Sequence, residues 1–167
     1  MLADDEAWSI LRTLDDPYSV EGPAELDLDA LGARFGCVVF HLEESFGCSC
    51  SVDAGFPFVQ DASHYGTVTV PAGASASGAQ IVIRISRYGS LAVYELELFG
   101  VYDRAETALL VDPLDRDRIE LALTSTGHDI VPADLLWTKY DGVNDYWQTH
   151  FPDEPTPTWF TRFFDWV

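Results

Sequence analysis

Between residues 36 and 100 apolar side chains recur at every second position, and that alternation restricts the middle of the chain to a sheet. GCVVFHL (36–42), CSCSVD (48–53), GTVTVPA (66–72), QIVIRIS (80–86) and LAVYELELFG (91–100) read as successive short strands. Residues 43–46 have the length of a hairpin loop, and Tyr88-Gly89-Ser90 resembles a tight turn. In the last strand Ala92, Tyr94, Leu96 and Leu98 point one way and Glu95 and Glu97 the other, which predicts one sheet face open to water. The small residues of 71–79 (PAGASASGA) suit a mobile surface loop.

Helical spacing brackets these strands. It covers residues 3–14 and 25–35, where Leu28, Leu31 and Phe35 sit at i, i+3 and i+7 and Gly36 ends the pattern. Asp16-Pro17 and Gly22-Pro23 mark a turn-rich link between the two. A third helix is expected over 116–126, with Ile119, Leu123 and Thr126 on one face, acids near its start and Gly127 beyond its end. The aromatic tail closes in a short helix from about Thr158, whose Phe160, Phe163, Phe164 and Val167 share a core-facing side. The expected fold class is α+β: a single domain over residues 1–167, with a central antiparallel sheet flanked by N-terminal, mid-chain and C-terminal helices. At 167 residues the chain is long enough for a core of its own.

Charge decides which partners are plausible. Twenty-eight acids face nine bases, a net of −19. Residues 1–30 carry nine acids and one base, 31–102 six and three, and 103–167 thirteen and five, so the field comes from the two ends. Such a surface repels phosphate backbones and anionic membranes and draws in cationic proteins. Nucleic acid and membrane are therefore excluded as partners, and solubility alone is the plain alternative reading of the acidity. The acidic opening MLADDEAWSILRTLDD lacks the pattern of a secretory leader, and three cysteines suit a reducing compartment, so the expected location is the cytoplasm.

Sequence signs of catalysis are weak. Motifs for nucleotide loops, nucleophile elbows and zinc proteases are absent. Ser63-His64 and His128-Asp129 are neighbours in sequence, which says little about a triad assembled in space. If residues 43–46 close a hairpin, Cys37, His41, Cys48 and Cys50 share one face and are zinc-ligand types. On a strand, however, Cys48 and Cys50 would hold their sulfurs about 6–7 Å apart, too far for one ion or a disulfide, so packing is the favoured reading. The expectation is a protein that is not an enzyme, with no metal and no cofactor.

A binding signal lies in the C-terminal third. Trp137, Tyr140, Tyr146, Trp147, Trp159, Phe160, Phe163, Phe164 and Trp166 crowd together, interleaved with Asp141, Asp145, Asp153 and Glu154. Aromatic anchors ringed by acids suit a basic partner with apolar pockets. The expected partner-binding residues are Tyr140, Asp141, Asn144, Asp145, Tyr146, Trp147, Asp153 and Glu154.

Over residues 80–167, QIVIRISRYGSLAVYELEL and the ending DLLWTKYDGVND…PTWFTRFFDWV resemble the small acidic immunity proteins that actinobacteria and other bacteria encode beside secreted polymorphic toxins. That resemblance implies a cytoplasmic inhibitor, monomeric when free, that occludes the active site of a cognate toxin domain of nuclease or NAD-degrading type. It carries over no individual functional residue. A secretion chaperone gripping an export segment is the alternative; a DNA mimic or an unrecognised enzyme ranks lower.

Overall fold

The computed structural model describes residues 1–54 and 63–165. Its elements are α1 (Asp4–Leu14), α2 (Leu28–Phe46), β1 (Ser51–Ala54), β2 (His64–Val70), β3 (Ile81–Ser86), β4 (Leu91–Leu96), α3 (Arg104–Leu110), α4 (Pro113–Ser125), β5 (Asp129–Ile130), α5 (Ala133–Leu136), α6 (Tyr146–His150) and α7 (Trp159–Phe164). Val167, expected on the core face of the last helix, lies outside the described residues.

The largest departure from the sequence reading is α2. GCVVFHL is not a strand: the helix runs through Gly36 to Phe46. Leu31, Phe35, Val38, Leu42 and Phe46 are its buried residues, and their spacing is helical throughout. Asp27 caps its start by accepting from the Ala30 N–H at 2.9 Å. Gly47 ends it in the left-handed region, at φ 62°. The expected hairpin over residues 43–46 is therefore the last turn of a helix.

The sheet has five strands in the order β1-β2-β3-β4-β5. The first four form an antiparallel meander, and β5 pairs parallel with β4 at Leu91↔Asp129 and Ala92↔Ile130. The chain is α+β, as expected. β4 stops at Leu96 rather than running to 100, because Glu97 turns into the left-handed region at φ 57°.

Both faces of the sheet are covered. On one, Val68, Val70, Ile81, Ile83, Ile85, Ala92, Tyr94 and Leu96 pack with the apolar faces of α2 and α4. On the other, Leu91 and Val93 pack with Ala7 and Leu11 of α1, Leu135 and Leu136 of α5, and Trp159, Phe160, Phe163 and Phe164 of α7. The face expected to be wet is thus a second core, since the aromatic tail folds over it. Glu95 is only 1% exposed there.

The loop at 71–79 is held, not loose. The buried carboxylate of Asp115 on α4 accepts from Ser75 Oγ (2.8 Å), Ala76 N (3.1 Å), Ser77 N (2.8 Å) and Ser77 Oγ (2.7 Å). Burial works against its charge, but these donors hold its pKa below the usual carboxylate range.

Glu95 is the opposite case. Burial pushes its carboxyl up to about 7, although the Gly100 N–H donates to Oε2 at 2.7 Å and Trp137 also favours the charged form. Between the unfolded value near 4.5 and about 7, the folded protein keeps a proton that the unfolded chain has released. This contribution to stability is present in full below 4.5 and lost as pH rises through 7. Glu95→Gln removes it, so the variant gains on the parent by up to about 3 kcal/mol between pH 4.5 and 8. Urea denaturation of both proteins at pH 5 and pH 8 checks this. His64 and His128, lowered to about 4 chiefly by burial, slope the other way but are common to both proteins and cancel in the difference.

Candidate acidic binding platform

Arg162 is fully buried on α7, and its Nε donates to Asp15 Oδ1 at 2.7 Å just beyond α1. Nη1 donates to the Val20 carbonyl (3.1 Å), and Nη2 to the carbonyls of Asp16 (3.1 Å) and Ser19 (3.0 Å). Its guanidinium lies 4.5 Å from the Tyr88 ring centroid, and the Tyr88 hydroxyl donates to the Ser19 carbonyl at 2.9 Å. Burial disfavours the charge, but Tyr88 and Asp15 keep it and raise the pKa further.

The second oxygen of Asp15 reaches the tail. Oδ2 accepts from the Tyr140 hydroxyl at 2.6 Å and from Val143 N at 2.7 Å. The Tyr140 oxygen in turn accepts from Asn144 N at 2.9 Å. Asn144 Nδ2 donates to the carbonyls of Asp16 (2.8 Å) and Ser19 (3.1 Å), while its Oδ1 accepts from Tyr146 N (3.0 Å). Gly142 makes this closure possible, because a Cβ there would collide with the Asp15 carboxylate and the Tyr140 hydroxyl. One buried ion pair thus fixes the 15–20 turn, α7 and the start of the 140–154 segment to one another.

Above this support sits an exposed layer. Asp141, Asp145, Asp153 and Glu154 face solvent, and Tyr146 and Trp147 are half-buried. Tyr146 stacks on His150 at 4.3 Å and meets Trp147 edge-on at 5.8 Å. Tyr18 (96% exposed), Val143 and Phe151 add apolar surface beside them. Asp141 is partly neutralised, receiving Arg12 Nη2 and the Trp159 indole N–H, each at 3.2 Å. Asp145, Asp153 and Glu154 form no ion pair among the described residues. Two hollows flank α6. One of about 370 Å³ lies between Tyr146, Arg87 and the 18–26 turn, and one of about 130 Å³ between Trp147, Phe151, Glu154 and Pro157.

Six of the eight expected contact residues are therefore exposed or half-buried. Tyr140 and Asn144, each 2% exposed, are not: their polar groups are taken up by Asp15, Asp16 and Ser19, so they hold the platform from beneath. Sequence reasoning missed Asp15, Arg162 and Tyr18. Arg162 sits among phenylalanines in the last helix, and a charged residue in an apolar run was the available sign of a buried partner.

The other candidates sit elsewhere. Cys37 is exposed on α2, His41 follows one turn later, and Cys48 and Cys50 lie past the helix end. Cys37 and His41 share a face of α2, but without the hairpin the four do not come together as expected, and the described residues hold no cluster placed to bind a metal. Cys48 and Cys50 pack on the core, and burial with the adjacent Cys48 pushes the Cys50 thiol up to about 12. Ser63 and His64 are buried; Ser63 Oγ bonds the backbone of Thr161 and Asp165. His128 is buried too, its Nδ1 2.9 Å from Thr126 Oγ1.

No helix among the described residues is long and apolar enough to cross a membrane. No family model, curated protein or solved structure matches the chain.

Arg162→Ala leaves the Asp15 carboxylate buried without its cation and is expected to cost about 3–5 kcal/mol in urea denaturation. Tyr140→Phe removes one donor from the same carboxylate and is expected to cost about 1–3 kcal/mol. A loss under about 0.5 kcal/mol for Arg162→Ala, the level of a neutral surface change, would show that the pair supports nothing.

Proposed function

We propose that this protein acts by binding: it is an immunity-type inhibitor whose platform covers the active site of a cationic toxin domain of the nuclease or NAD-degrading kind. The observation that carries the reading is the set of exposed carboxylates of Asp145, Asp153 and Glu154, in no ion pair among the described residues, around half-buried Tyr146 and Trp147 on a support fixed from behind. Its chemistry is that of a hot spot, with aromatic anchors for apolar pockets and a charged rim.

The net charge of −19 steers a basic domain toward the surface. Docking then seats Tyr146 and Trp147 against the partner, while its lysines and arginines enter the two hollows beside α6. A fixed support keeps the ordering entropy of docking low. Covering a catalytic cleft in a stable complex buries roughly 1,200–2,000 Å² in all. In this proposal the protein is cytoplasmic, where it meets its toxin before export, and is monomeric until it does.

The reading predicts that a toxin domain is encoded beside this gene, and co-expression with that domain tests it, with survival of the host as the first readout. Neutralising Asp145, Asp153 and Glu154 together to the amides is expected to slow association about tenfold at low salt and to leave dissociation nearly unchanged. Trp147→Ala is expected to speed dissociation, weakening the complex by about 1–3 kcal/mol. Surface kinetics at two salt concentrations separate the two effects. Unaltered binding in both variants, each with parental thermal stability, would move the interface away from this platform.

A further inference from the structure

The cleft between α3, α4 and the β5–α5 junction shares no residue with the platform, and the proposed binding role gives it no task. It has a volume of about 280 Å³. We infer that this cleft is a binding site for a small, uncharged aromatic molecule.

Depth and lining support this. The floor is Tyr94 and Val111, 4% and 2% exposed, so the cleft reaches down to the core. Tyr102, Ala108, Pro132 and Ala133 form the walls. An apolar cavity of about 150 Å³ already accepts benzene, and small-ligand sites combine such walls with a few polar groups. The tyrosines and the Arg116 guanidinium give an aromatic ring faces to stack on.

The rim selects against charge. Arg104 is paired with Asp4 (2.7 Å) and Asp134 (2.8 Å), and Glu120 accepts from the Tyr94 hydroxyl (3.1 Å) and the Met1 amino group (3.0 Å). Arg116 donates through Nη2 to the Ala108 carbonyl at 3.0 Å. The carboxylates at the opening thus already have cationic or hydrogen-bonding partners. Around the cleft three cationic groups (Arg104, Arg116 and the Met1 amino group) are balanced by the carboxylates of Asp4, Asp134 and Glu120, so a neutral ligand fits here.

One wall lies at the surface. No residue of α3 is buried, and the helix is secured at its start by the Asp103–Glu106 capping box and the Arg104 ion pairs. Thr107 and Ala108 face the cleft from this helix. A ligand therefore enters past a surface helix, without opening of the core.

Indole titrated into the full chain, followed by amide chemical shifts, tests the inference. Saturable shifts at Tyr102, Ala108, Val111 and Ala133 are expected, with benzoate and benzylamine at least about tenfold weaker. Ala108→Phe fills the cleft from its exposed wall and is expected to weaken indole at least about tenfold with unchanged thermal stability. Ala133→Leu narrows it from the opposite side and serves if the first variant unfolds. Absence of saturation up to the solubility limit, shifts centred on Trp147, or undiminished binding in both filled variants would overturn the inference. So would Ala108→Phe impairing toxin capture while indole fails to bind, since the cleft would then seat a partner's side chain.

Discussion

The Asp15–Arg162 pair is the interaction on which the rest of the molecule depends. It lies where the end of α1, the 15–20 turn, the 140–146 segment and α7 converge. Removing two charges from water carries a heavy desolvation penalty, recovered only when every remaining lone pair and N–H finds a partner. Here Val20, Asp16 and Ser19 supply carbonyls to the guanidinium, and Tyr140 and Val143 supply donors to the carboxylate. The geometry is therefore specified as well as stabilised. Alternative placements of the tail leave a buried ion unsatisfied.

A second consequence concerns the surface field. Six of the eight arginines, at 12, 84, 87, 104, 118 and 162, are in ion pairs with the protein's own carboxylates. Arg84 also places its guanidinium against the Phe99 and Phe160 rings. The few bases thus secure internal joints, while most acids are left to face outward. Composition alone states the excess of acids; the fold determines that the cations are consumed locally and that the platform stays negative.

How much of this the sequence disclosed depends on burial. β2 and β3 were legible because their alternation is clean, β4 because it is a short run of mostly apolar residues after a turn, and α1, α4 and α7 because each carries an apolar face. The second half of α2 was misread because Gly36 resembles a helix stop and Val38 and Val39 favour strands locally, while its helical register emerges only when Leu31, Phe35, Val38, Leu42 and Phe46 are taken together. α3 was missed because it buries nothing and so leaves no period. Glu95 looked like the mark of a wet face, and only the covering tail reverses that. In the platform, the acids and half-buried aromatics were visible as composition, whereas Tyr140 and Asn144 were assigned to the wrong side of it. No local pattern announces that a tyrosine hydroxyl is bonded to a carboxylate 125 positions earlier.

The same pair sets when the molecule becomes competent during synthesis. Arg162 is 147 positions behind Asp15, so the turn and the tail have no fixed relation until both have left the ribosome. Contacts so far apart in sequence close late and slowly. A nascent chain stalled before α7 would carry its sheet but leave the 15–20 turn and the 140–154 segment unlocked. Any activity residing there switches on only once α7 has emerged and closed on the turn.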